Sequence, residues 1–294
     1  MVMISTPKPP SQLLKWIGNK QRFAPSIISY FPETYGTYFE PFLGSGAVLG
    51  GLSPHCGHAS DVLEPLIEIW EMVKSSPDEI VAAYDRYNSM LERGKDKKEV
   101  YQLALDRFNT SRRPEEFIFL SRSCYGGVIR FRKADGFMST PVGPHKPIST
   151  ESFERRVHAW NQRIQHTTFA VADYKDSFAR AQSGDLIYCD PPYVDTQKIL
   201  YGAQAFSFPE LIEQIREAKN RGVKVALSID GSKKSGAHQI DLPIPADLFE
   251  VEVSISVGKS MLKRFQVAGS DVASEGVADR LLLTYEPDAA TTLF

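Results

Sequence analysis

The sequence predicts an α/β protein with a helical block set into it, on three observations. In the second half, short apolar strands alternate with amphipathic helices: Asp185-Leu-Ile-Tyr-Cys189, then the helical stretch Phe208 to Asn220, then Val223-Lys-Val-Ala-Leu-Ser-Ile229. Near the start, the apolar run Thr37-Tyr-Phe-Glu40 feeds a glycine-rich turn, Pro41-Phe-Leu-Gly-Ser-Gly46, with a helical stretch after it. Between these parts, residues 70–154 break the alternation with helices and one Gly/Pro-rich segment. Strands alternating with helices call for a sheet covered by helices, and an uninterrupted helical block inside such a pattern reads as an insertion.

Taken in order, Pro65 to Val73 sets Leu66, Ile69, Trp70 and Val73 at helical spacing with acids on the other face. Residues 76–122 read mainly as helix, with weak breaks at Pro77 and Pro114. Residues 124–147 are rich in Gly and Pro and carry a turn signal at Ala134-Asp-Gly136, so they read as a β-hairpin or a long loop. Residues 151–166 return to helix, and Phe249 to Val257 and Arg280 to Tyr285 read as closing strands.

A chain of 294 residues with 42% hydrophobic and 24% charged residues has enough apolar material for a sizeable core. Cys56, Cys124 and Cys189 are too few and too scattered for a disulfide framework or a zinc site, which points to a reducing compartment. No apolar run approaches the roughly 18–20 residues of a spanning helix. The N-terminal string MVMISTPKPPSQ lacks the apolar stretch of a secretory signal. The net charge of −2 argues at first sight against a nucleic-acid partner. That total hides segregation. Residues 1–30 carry Lys8, Lys15, Lys20 and Arg22 and no acid, and residues 117–150 carry Arg122, Arg130, Arg132, Lys133 and Lys146 against Asp135 alone. Residues 61–80 carry Asp61, Glu64, Glu68, Glu71, Asp78 and Glu79 against Lys74.

Three motifs carry chemistry. Strand, glycine turn, helix is a nucleotide cradle, because glycines admit a ligand close to the backbone and a helix start offers free N–H groups. The spacing Gly44-Ser-Gly46-Ala-Val-Leu-Gly50 matches neither the dinucleotide fingerprint nor a phosphate loop, and a plain tight turn is the other reading. Asp61, ending the next strand, suits ribose hydroxyls or else caps the helix that follows. Asp190-Pro-Pro-Tyr193 follows a strand that should be buried, where ligands bind in α/β sheets. An exocyclic amine is a poor nucleophile because its lone pair is conjugated with the ring. A carboxylate (Asp190) and a carbonyl (Pro191) accepting its two N–H bonds would free that pair. Pro192 stiffens the turn, and Tyr193 can stack on an extracted base. The alternative is a proline-rich loop with a capping Asp. Leu14-Lys-Trp-Ile-Gly-Asn-Lys20, alone, could equally begin a basic helix.

Together and in this order, the motifs resemble those of the Dam-type DNA adenine-N6 methyltransferases, the α-group of amino methyltransferases. Lys15-Trp-Ile-Gly-Asn-Lys20 is similar to the family's N-terminal methionine-binding motif, Phe39 to Val48 to its glycine motif, and Val171-Ala-Asp-Tyr174 to the Asp-aromatic pair beside the cofactor adenine. The resemblance runs from about Leu13 to Pro287. It implies a Rossmann-like, seven-stranded S-adenosylmethionine-dependent methyltransferase sheet (residues 1–69 and 155–294). Inserted in it is a mainly helical target-recognition domain (residues 70–154) carrying a β-hairpin. It implies S-adenosylmethionine as methyl donor, held by Trp16, Lys20, Asp61 and Asp190, with Phe42, Gly44, Gly46, Asp173 and Tyr174 next. Transfer is expected by direct displacement onto a flipped adenine of double-stranded DNA, with no metal and no covalent enzyme intermediate. Cys189 is then inert core, and no cysteine follows a proline as in cytosine-C5 enzymes. The DNA-facing residues implied are Lys15, Arg122, Arg130, Arg132, Lys133 and Lys146. A monomer in the cytoplasm of a bacterium, or phage-encoded, is expected, either solitary or the modification half of a restriction system.

The chain departs from the family's GATC-methylating members at Gly126-Gly-Val-Ile-Arg130, where those carry Asn-Gly-Leu-x-Arg, and at Pro144, where they carry a basic residue. These differences count against a GATC specificity and leave the catalytic set intact. Methylation of RNA or of a protein amine remains as an alternative, although such enzymes usually show Asn where this chain has Asp190. A catalytically silent DNA-binding relative is the third reading.

Overall fold

A computed structural model describes residues 9–192, 206–230, 244–245, 247–256 and 278–288. Tyr193 and the basic residues Lys259, Lys263 and Arg264 lie outside the described residues.

The strands are β1 (Tyr38–Glu40), β2 (Gly57–Asp61), β3 (Thr167–Val171), β4 (Leu186–Cys189), β5 (Lys224–Asp230), β6 (Val251–Ser256) and β7 (Ala278–Leu283). They form one seven-stranded sheet in the order β3-β2-β1-β4-β5-β7-β6. The first five pair in parallel, and β7 runs antiparallel between β5 and β6. This is the seven-stranded doubly wound sheet that the resemblance implied. The strand order reverses between β1 and β4, so a crevice opens beyond their C-terminal ends.

Both faces of the sheet are buried, and the alternation along each strand divides two cores. Phe39, Ile187, Cys189, Val225 and Leu227 face one side, under α8 (Tyr174–Arg180) and α9 (Phe208–Asn220). Tyr38, Leu186, Tyr188, Ala226 and Leu281 face the other, under α1 (Ala24–Ile28), α2 (Ala47–Leu52), α3 (Glu64–Ser75) and α7 (Thr150–Arg163). The expected single helical reach of 76–122 resolves into α4 (Pro77–Glu92), α5 (Lys97–Ser111) and α6 (Pro114–Ser123). Pro77 and Pro114 begin helices rather than interrupt one, since a proline at the first helical position loses no hydrogen bond.

The domain boundaries expected at 69/70 and 154/155 fall inside α3 and α7, which are continuous helices. The inserted helices share one apolar cluster with the sheet. The rings of Trp70 and Trp160 lie 4.9 Å apart, Trp70 stacks toward Phe169 of β3, and Tyr84 stacks on Phe153 at 4.1 Å. Segment 124–142 is an irregular hairpin. A single 3-10 turn, Tyr125–Gly127, opens it, and isolated antiparallel bridges join Cys124 to Val142 and Phe131 to Met138. Among the described residues no helix is long and apolar enough to cross a membrane.

The N-terminal segment is strapped to this body through its own carbonyls. Gln21 Nε2 donates to Pro10 O at 2.7 Å, Trp160 Nε1 to Ser11 O at 2.9 Å, and Arg156 Nη1 to Gln12 O at 2.6 Å. Arg122 Nη1 donates to Leu13 O at 2.6 Å and Gln12 O at 3.2 Å. Arg122, expected at the DNA surface, is therefore corrected to a structural role. It is 3% exposed in the last turn of α6, a helix buried nearly all round. Burial lowers its pKa to about 10, which still leaves it charged at neutral pH.

Arg122→Met should lower chemical-denaturation stability by about 2 kcal/mol, because two backbone acceptors lose a charged donor. Arg130→Ala, at an exposed site, should leave stability unchanged and weaken DNA binding severalfold. Equal melting of the two variants would contradict this assignment.

Candidate active site

The site lies where β1 and β4 run side by side. A cavity of about 260 Å³, far more than a few waters fill, is lined by residues from five separate segments. These are Trp16–Lys20, Glu40–Ser45 with Ala47 and Val48, Asp61 and Val62, Asp173 and Tyr174, and Tyr188 with Asp190–Pro192. Gly127, Ile129 and Phe206 complete the wall.

The glycine turn is built by its backbone. Gly44 and Gly46 both take positive φ, 48° and 63°, which lets the chain reverse before α2. A Cβ on Gly44 would come within 3.1 Å of Trp16 Nε1, so the glycine also admits the indole. Asp61 is not an N-cap of α3. Its Oδ2 accepts from Gly44 N and its Oδ1 from Leu63 N, both at 3.1 Å, so it holds the glycine turn while standing at the cavity wall. Asp173 caps α8 by accepting from Lys175 N at 3.0 Å. Phe42 stacks on Tyr174 at 5.4 Å, and Phe206 meets both rings edge-on. These rings offer an apolar face to a planar base. Burial raises the Tyr174 phenol to about 12, and its hydroxyl is buried without a hydrogen-bond partner among the described residues.

Lys20 is 4% exposed, and its Nζ lies 2.8 Å from Asp190 Oδ1 and 3.5 Å from Asp279 Oδ2. It also donates to Gly18 O at 3.3 Å. A buried ammonium requires such company, since an unpaired charge there would be strongly disfavoured. The N-terminal motif and the Asp190 turn are thereby tied together.

Two acids at this centre escaped the sequence reading. Asp279, on β7, is buried behind Lys20. Glu40, at the end of β1, is 3% exposed and accepts a 2.5 Å hydrogen bond from the Tyr38 hydroxyl. Burial pushes its pKa up to about 8, the charge of Asp190 adds to this, and the Tyr38 bond opposes it. The signal for Glu40 was an acid closing the apolar run of β1; Asp279, next to Arg280, carried none. Cys189 is fully buried in the core behind the turn, and burial pushes its thiol well up.

The basic residues divide. Gly127 O accepts from Ile17 N at 3.1 Å, and a Cβ on Gly127 would lie 2.8 Å from Lys15 C, so the hairpin opens directly against the N-terminal motif. Lys15 sits in that contact, half-buried, with its pKa lowered by burial and then by Arg122. Arg130 and Lys133 are exposed on the hairpin, and Lys146 is exposed just beyond it. Arg132 is exposed and holds Asp135 through Nε at 3.0 Å and Nη2 at 2.5 Å. Arg122 faces inward, as described above.

Glu40 gives a pH test. Its folded pKa lies above the usual carboxylate value, so the folded state keeps a proton that the unfolded chain releases. Stability from this group is full below about pH 4.5 and falls as pH rises toward 8. Glu40→Gln should keep the Tyr38 contact and be more stable than the parent at pH 8.5, by on the order of 3 kcal/mol. The two should agree at pH 4.5. Parallel stability curves across this range would contradict the assignment.

The chain is 30% identical over 227 residues to a DNA adenine methylase of Vibrio cholerae, covering 73% of this chain and 79% of that protein. It is 25% identical over 238 residues to the type II methyltransferase M1.LlaDCHI of Lactococcus lactis subsp. cremoris, covering 74% and 80%. Against a DNA adenine methylase of Salmonella typhi it is 32% identical over 185 residues, covering 61% and 64%. The family model for D12 class N6 adenine-specific DNA methyltransferases matches residues 16–250, which takes in every cavity segment described above. On this match and these relatives, the chain belongs to the D12 class N6 adenine-specific DNA methyltransferases.

Proposed function

We propose that this site-specific DNA adenine methyltransferase works through the Asp190 turn. The target adenine is flipped from duplex DNA into the crevice between β1 and β4. The observation that carries the reading is the convergence of the Asp190-Pro-Pro turn, the Lys20 ion pair and the Asp61-held glycine turn on one cavity.

S-adenosylmethionine, when bound, supplies an electrophilic methyl group on a sulfonium. The residues present suit it. Trp16 and Lys20 line the cavity, Gly44 leaves room at the turn, and Asp61 offers acceptors for ribose hydroxyls. Phe42, Tyr174 and Phe206 offer the apolar face for its adenine, with Asp173 beside them. Gly46 serves by shaping the turn rather than by contact.

Asp190 and the Pro191 carbonyl accept the two N–H bonds of adenine N6 and draw its lone pair out of conjugation. Asp190 stays ionised because the Lys20 ammonium lies beside it. Once the nitrogen gains the methyl it carries one proton too many, and the same carboxylate is the base for it. Pro191 and Pro192 keep the turn rigid, so little reorganisation accompanies the step. Tyr193 completes the set by stacking on the extracted base. No metal is called for. Arg130, Lys133 and Lys146, with Lys15 and Arg132, form the basic margin for the DNA backbone and base edges. The Gly126–Arg130 hairpin differs from that of GATC-methylating members, and the recognition sequence is proposed to differ with it. A monomer in a bacterial cytoplasm, solitary or beside a cognate restriction endonuclease, suits the reading.

Asp190→Ala should cut methyl transfer from labelled cofactor to adenine-containing duplexes at least hundredfold, with DNA binding kept within a few-fold. Activity within a few-fold of the parent would overturn the role given to Asp190. Equal transfer to RNA would revive the RNA alternative.

A further inference from the structure

Asp279 has no part in the cofactor and base contacts proposed above. It stands on β7, opposite Asp230 of β5 and Ile255 of β6 in the sheet register, off the cavity wall and 7% exposed. Among the described residues it meets the site through Lys20, whose ammonium lies 2.8 Å from Asp190 and 3.5 Å from Asp279. Asp279 is buried near the start of β7, ahead of Leu281, Leu282 and Leu283, and a buried acid is costly without a partner. The neighbouring cation relieves that cost.

We infer that Asp279 is a positioning residue for methyl transfer: it shares the charge of Lys20, so that Asp190 is held and ionised without being neutralised as an acceptor for adenine N6. This rests on the role proposed for Asp190. The ammonium already lies nearer Asp190 (2.8 Å) than Asp279 (3.5 Å), and losing the second carboxylate would draw it closer still. A tighter pair makes Asp190 a poorer acceptor for the N6–H bond and shifts its carboxylate. With two carboxylates, Nζ is drawn from both sides and its position is set by the strand. The rigid β7 backbone then determines where the Asp190 carboxylate lies, and small misplacements of reacting groups are expensive in rate.

The test separates charge from shape. In single-turnover methylation with saturating S-adenosylmethionine and duplex DNA, Asp279→Asn should lower the transfer rate about tenfold or more. Asp279→Glu, which keeps the charge, should stay within about threefold. Dissociation constants for cofactor and DNA should move less than threefold in both. If Asp279→Asn fails to fold, Asp279→Ser against Asp279→Glu carries the same comparison. A merely structural Asp279 would lower melting temperature while leaving the rate per folded molecule unchanged, and that result overturns the inference. So does Glu performing no better than Asn or Ser. Asp190→Ala, run alongside, distinguishes the failures. If Asp190→Ala stays active, the reading of the site has failed. If it is dead while Asp279→Asn transfers at the parent rate, only the role of Asp279 has failed.

Discussion

The ion pair between Lys20 and Asp190 closes the molecule around its site. Lys20 belongs to a segment that precedes the sheet, and Asp190 ends β4 at its centre. Burial of the ammonium means that the pair cannot be exchanged for water without a large penalty. The neighbouring segments hold it in line at the cavity wall. Asp61 holds the glycine turn, Trp16 fills the space that Gly44 leaves, and the two prolines stiffen the turn. The crevice at the strand-order reversal supplies the place, and the ion pair supplies its electrostatics.

The same N-terminal segment joins the cavity to the inserted helices and the hairpin. Residues 10–13 are pinned by Gln21, Arg122, Arg156 and Trp160, two of which come from α7 and one from α6. Residue 17 then pairs with Gly127 at the opening of the hairpin. The inserted helices share the core of the sheet, and Ile129 and Met138 of the hairpin are buried in the same cluster.

Much of this was legible in sequence, for physical reasons. Period-two and period-3.6 patterning located α9, β4 and β5 within a residue or so. Glycine and proline marked the two turns that carry chemistry, because only those residues meet the backbone demands there. What escaped depends on contacts between distant segments. Arg122 and Arg130 look alike in a basic stretch, yet one faces inward and one outward. The clue was the unbroken apolar run Phe117-Ile-Phe-Leu120, which marks a helix buried all round. Glu40 and Asp279 were passed over because an acid in a strand has meaning only once its neighbour is known, here Tyr38 and Lys20. The break in strand–helix alternation near 70 and 154 does not show that α3 and α7 run on through those positions, packed in the cluster shared with the sheet.

The central claim is that this crevice methylates adenine N6 at a defined DNA sequence. The most direct measurement is sequencing of genomic DNA, by a method that reads N6-methyladenine, from cells that contain the folded protein and from cells that lack it. The account predicts new N6-methyladenine at one recurrent short sequence. Methyl groups on cytosine, or no new methylated base in cells holding the folded protein, would contradict it.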